Sequence, residues 1–133
     1  MEDNIIIPQT IDAGEFLYRG VVDSQWDTEH NRPSSATFKD SKGASVDRDV
    51  LFRNKDVCVT ALLKSKPFKA ICRVKESDVE GVNAVSKYLP VPGNDFHCEI
   101  HDSEQKVTLS GSKTKKLRDL AEVVYTHTEN CIE

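Results

Sequence analysis

At 133 residues, with 18 basic against 22 acidic side chains and a formal net charge of −4, the chain has the length of one domain and can bury a core without help from metal or disulfide. The acid excess gives no general attraction to nucleic acid or anionic lipid, so neither is expected as a partner. Its apolar run Ile5-Ile6-Ile7 is far short of the ~20 residues a membrane helix needs and lacks the flanks of a signal peptide, which points to a cytoplasmic protein with no membrane partner.

Residues 1–12 mix charges, isoleucines and Pro8 without periodicity and are expected to form a loose or edge-docking arm ahead of one domain over 13–133. "EFLYRGVV", Glu15 to Val22, is aromatic and β-branched enough for a first strand, and Asp23 to Asp27 reads as a turn or single helical turn capped by Asp23. In "RPSSATFKDSKGASVDRD", Ser35, Thr37 and Lys39 alternate with Ala36 and Phe38, the period of a strand with one polar face. A hairpin is therefore predicted, Ser34 to Lys39 against Ala44 to Arg48, turned by Asp40 to Gly43.

"RNKDVCVTALLKSK" is ambiguous between strand and helix, and its length and lysine-rich exit before Pro67 favour a helix. Phe68 to Val74 is a buried strand, with Phe68, Ala70, Cys72 and Val74 on one face and Ile71 on the other. "ESDVEG" predicts one helical turn ended by Gly81, and Val82 to Leu89 a strand closed by the turn Pro90 to Asn94. "DFHCEIHD" alternates cleanly, placing Phe96, Cys98 and Ile100 opposite His97, Glu99 and His101. From Ser112 onward, Leu117, Leu120, Ala121 and Val124 recur at helical spacing, with Ser110 or Ser112 as cap. Lys113, Lys115, Lys116 and Arg118 then line the solvent side, although lysines in the first turns oppose the helix dipole. Together these elements predict an α+β single domain, a mostly antiparallel sheet with a C-terminal amphipathic helix packed on it.

Cys58, Cys72, Cys98 and Cys131 form no CxxC pair and sit mostly in apolar runs, so they are read as buried free thiols. On their strand, His97, Glu99 and His101 share one face. The two histidines are roughly 13 Å apart along the backbone, too far for all three to hold one metal. No metal site is expected there, and the residues are instead candidates for general acid or base work, His97 and Glu99 first. Phosphate-loop and dinucleotide motifs are absent, so no cofactor is expected. A second constellation joins Arg19 to Arg32, Ser34, Ser35, Ser45, Asp47 and Arg48. If the first strand lies beside the hairpin, these guanidinium forks and hydroxyls form a pocket for a phosphate or carboxylate.

The series "LYR", Trp26, "RPSSATFKDS", "SVDR", "PGNDFHCEI" and "KLRDLAE", spanning Leu17 to Val123, resembles a group of small bacterial proteins of uncharacterised activity. That resemblance implies bacterial origin and single-domain organisation. A more distant likeness is to ADP-ribosyltransferase-like domains, including the RES toxins. It implies Arg19 as the dinucleotide arginine, Ser34 or Ser35 as the following polar residue and Glu99 as the glutamate, although "HCEIH" departs from that family's pattern. Two functions are therefore carried forward. One is a non-enzymatic accessory or interaction module with an anion-binding arginine and serine edge, its partner a protein, a small anion or a second copy of the chain. The other is a small enzyme acting on a phosphate-bearing substrate.

Overall fold

The computed structural model describes residues 9–48, 69–92 and 97–126. Among them the chain forms β1 (Phe16–Val21), a 3-10 turn (Asp23–Gln25), β2 (Trp26–Asp27), β3 (Arg32–Pro33), a second 3-10 turn (Ser35–Phe38) and β4 (Ala44–Arg48). There follow β5 (Ala70–Lys75), α1 (Glu76–Gly81), β6 (Val85–Tyr88), β7 (His97–His101), α2 (Gly111–Leu120) and β8 (Glu122–Thr126). Six strands make one sheet in the order β6-β7-β4-β1-β5-β8, every pairing antiparallel, while β2 and β3 form a separate two-stranded ribbon. This is an α+β domain with the C-terminal helix on the sheet.

Alternation along the strands decides which face is dry. Leu17, Val21, Ala44, Val46, Ala70, Cys72, Val74, Cys98 and Ile100 project to one side, where they meet Phe38, Val79, Val82, Leu109 and Leu117 in a single apolar cluster. The covering elements are thus the second 3-10 turn, α1, α2 and the loop before α2. Ile11 also packs against this cluster, so the end of the N-terminal arm docks. Cys72 and Cys98 are free and buried within it, and burial pushes both thiols up to about 12, as inert core residues rather than nucleophiles. The segment read as a helix from Arg53 to Lys66, and with it Cys58 and Cys131, lies outside the described residues.

Three sequence expectations are corrected. Ser34 to Lys39 is no strand: Ser34 Oγ accepts the Ala36 N–H at 3.2 Å and its carbonyl the Thr37 N–H at 3.1 Å, which turns the chain and drops Thr37 and Phe38 into the core. The period-two pattern was a coincidence of a serine-rich turn, in which hydroxyls compete for the backbone groups a ladder needs. β4 instead pairs with β1 on one side and β7 on the other, and only the Asp40 to Gly43 turn survives from the hairpin, closed by Gly43 N–H to Asp40 O at 3.0 Å. The second correction concerns α2, which is capped by Ser110 but stops at Leu120. Val124, expected on the helix, belongs to β8, where β5 supplies the backbone partners. Leu120 is accordingly 49% exposed. At the first 3-10 turn Asp23 is the first residue rather than the cap, and Gln25 Oε1 accepts the Val22 N–H at 3.2 Å.

One buried acid is incompletely compensated. Glu76 opens α1, its Oε1 is buried without a hydrogen-bond partner, and so is Ser86 Oγ. Burial pushes its carboxyl up to about 7, reinforced by the negative charges of Glu80 and Glu15, with proximity to Ser86 opposing. The folded state therefore holds this proton more tightly than the unfolded chain. The stabilisation is fully present below the ordinary carboxyl range and is lost as pH rises to about 7. Glu76→Gln should flatten that loss and stabilise the protein above neutrality by about 1–2 kcal/mol, measured as denaturant midpoints across pH. An unchanged pH profile would contradict it.

Candidate functional site

The arginines and the histidines, which an enzyme would need in one pocket, occupy opposite faces of the sheet. Arg19 and Arg48 alternate with Tyr18 and Asp47 and point, with Leu17 and Val46, into the covered side. Arg48 is fully buried and grips Glu15 with two parallel bonds, Nε to Oε2 and Nη2 to Oε1, both 2.9 Å. Its guanidinium also lies 4.8 Å from the Tyr88 ring centroid. Arg19 donates Nε to Thr37 O at 2.6 Å and Nη1 to Ser45 O at 2.8 Å, and its guanidinium sits 6.0 Å from the Phe38 ring. Burial lowers its pKa, opposed by Cys72 and Asp40. Both arginines hold the fold together: Arg48 clamps the residue before β1, and Arg19 ties the second 3-10 turn to β4.

Asp47 and Ser45 project to the other face, opposite His97 and Glu99 respectively in the β4–β7 register. There Glu99 bridges two imidazoles, Oε2 to His97 Nε2 at 3.2 Å and Oε1 to His101 Nε2 at 3.0 Å. Burial works to raise the Glu99 pKa, but the bonds from His101 and His97 and their charge hold the carboxyl below its usual range. The carboxylate is thus the shared acceptor of a local ladder. Its two oxygens are taken up accepting from the histidines, and the pairing of Arg19 with Glu99 that the ADP-ribosyltransferase likeness implies is not assembled. Among the described residues the cluster with donor atoms close enough to share an ion is Asp27, Glu29 and His30, on the β2–β3 connection, and not this strand.

Gly43 makes the ladder possible. It has φ +93°, and a β-carbon there would stand 2.8 Å from His101 Cδ2 and 3.0 Å from Glu99 Oε1. Gly43→Ala combines a disfavoured backbone with that clash and should cost about 2–3 kcal/mol in chemical denaturation. A loss below about 0.5 kcal/mol, the range of an ordinary surface change, would contradict this.

The remaining members of the predicted anion edge separate as well. Arg32 is exposed and lies 3.8 Å from Asp119 of α2, Ser34 is spent on its cap, and Ser45 is exposed beside Glu99. Of these, Ser35 lines an open groove of about 540 Å³ between the second 3-10 turn and α2, together with Ala36, Lys39, Gly111, Ser112, Thr114 and Lys115. Among the described residues no acidic or aromatic one lines it. Lys39 and Lys115 make no ion pair among the described residues.

Both walls of the groove are fixed. On one, Phe38 is buried, Arg19 holds Thr37 O, and Thr37 Oγ1 donates to Gln25 O at 3.2 Å. On the other, Ser110 Oγ caps the Lys113 N–H at 3.4 Å while Asp102 Oδ1 accepts the Ser110 N–H at 2.9 Å. Lys113 turns away, donating to Asn83 O at 2.8 Å and Asp102 O at 2.7 Å, and Thr114 and Leu117 seat the helix in the core. The N–H groups of Gly111 and Ser112 belong to the turn that helix geometry leaves without intrahelical acceptors. Lys39, Gly111, Ser112 and Lys115 were not singled out from the sequence as a site. Their one visible signal was the set of lysines placed against the dipole of α2, with no acid in its first turn.

Compared with protein-family models, with curated proteins and with solved structures, the chain has no significant match. No helix among the described residues is long and apolar enough to cross a membrane.

Proposed function

We propose that the protein is a binding and interaction module whose anion site is the groove between the second 3-10 turn and α2. The observation that carries this reading is the pair Lys39 and Lys115, unpaired among the described residues and set around an acid-free groove in a chain with net charge −4. Lysines in that place raise the positive potential at the start of α2 instead of relieving it, a cost that a bound anion offsets. The anion-binding edge expected from arginines is thereby reassigned to lysines, with Ser35 common to both. The competing reading, an enzyme, needs Arg19, Arg48, His97 and Glu99 in one cleft, and they point to two faces of the sheet. A bacterial cytoplasmic setting belongs to the same proposal, supported by the resemblance described above and by the free thiols of Cys72 and Cys98.

Titration calorimetry with inorganic phosphate at low ionic strength tests it. Wild-type protein should bind with an affinity that falls as salt is added, and Lys39→Glu combined with Lys115→Glu should abolish the heat while thermal unfolding stays within a few degrees of wild type. Equal binding by the double variant would place the anion elsewhere and sink the proposal.

A further inference from the structure

The lining of the groove says more than its charge. Its volume, about 540 Å³, is in the range of small-molecule sites, about 300–1,000 Å³, and leaves room beyond a lone oxyanion. Hydroxyls reach that room from Ser35, Ser112 and Thr114, amid apolar surface from Ala36 and the carbon stems of the lining side chains. Thr114 Oγ1 donates to Gly111 O at 2.9 Å, which leaves its lone pairs to accept. Among the described residues no aromatic ring lines the groove for a nucleobase to stack on. The cations are lysines, compact point charges suited to a phosphate, rather than arginine forks matched to a planar carboxylate.

We infer that the ligand of the groove is a small phosphomonoester of a sugar or polyol, its phosphate between Lys39 and Lys115 and its hydroxylated body along Ser35, Ser112 and Thr114. This rests on the groove being the anion site, and the experiment separates the two statements. Calorimetric titrations of the full chain with inorganic phosphate, a hexose phosphate, adenosine monophosphate and the unphosphorylated hexose should rank the hexose phosphate about tenfold tighter than phosphate. Adenosine monophosphate should bind no tighter than phosphate, and the bare sugar should give no heat. Ser35→Ala with Ser112→Ala should remove most of the preference for the hexose phosphate, its folding checked by thermal unfolding. If phosphate and hexose phosphate bind alike, or the nucleotide binds tightest, the sugar assignment is overturned and the anion site stands. If none of the four binds, both statements fall together.

Discussion

Arg48→Met should lower the stability of the protein by about 3–5 kcal/mol, or roughly 10–20 °C in thermal midpoint for a chain of this length. The side chain is fully buried and its two bonds to Glu15 neutralise a carboxylate that is itself 4% exposed. Removing the guanidinium strands that carboxylate in the core, and most of the expected loss is this uncompensated charge rather than the intrinsic worth of the pair. Replacing both partners, Arg48→Met with Glu15→Leu, should therefore recover most of the stability, which makes a double-mutant cycle the informative measurement. A single-variant loss below about 1 kcal/mol, the size of an exposed ion pair, would show that the pair is solvated and not structural.

Phe38→Ala should cost a similar amount, about 3–5 kcal/mol, since a fully buried aromatic is removed from a cluster shared by the sheet and α2. Here the consequence reaches function. Phe38 and the Arg19 bond to Thr37 O are the anchors of the 3-10 turn that forms one wall of the groove, so phosphate binding should weaken along with stability. Phe38→Leu keeps most of the buried area and should cost under about 2 kcal/mol while retaining binding. Intact affinity in a destabilised Phe38→Ala protein would uncouple the wall from the core and contradict the role given to this residue.

Much of the fold was legible where local pattern and tertiary context agree. The strict alternation of "HCEIH" gives β7 and its two faces, and "FLYRGV" and "AICRVK" give the neighbouring strands β1 and β5. The helical spacing that begins at Leu117 gives α2, with Ser110, one of the two serines offered as cap, capping it. Failure came where the pattern is short or its partner is distant. Over Ser34 to Lys39 a few residues satisfy both a polar strand and a capped 3-10 turn, and the choice is made by burial of Phe38. Past Leu120 the β-branched pair Val123-Val124 prefers the ladder of β5, which no local spacing reveals.

The candidate site was less legible for a physical reason. Arginines advertise anion binding by type alone, yet a buried arginine is satisfied by whatever acceptor the fold brings. Here those acceptors are Glu15, 33 residues away in sequence from Arg48, and the carbonyls of Thr37 and Ser45 for Arg19. Lysines that face solvent look like a solvated surface until two segments far apart in the chain are seen to share a groove without an acid.

The most direct test is an amide chemical-shift titration of the isotopically labelled protein with inorganic phosphate. Saturable shifts are expected, concentrated at Ser35, Ala36, Gly111 and Ser112, with the strand from His97 to His101 unmoved. Shifts confined to that strand, or none at any concentration, would contradict the groove as the anion site.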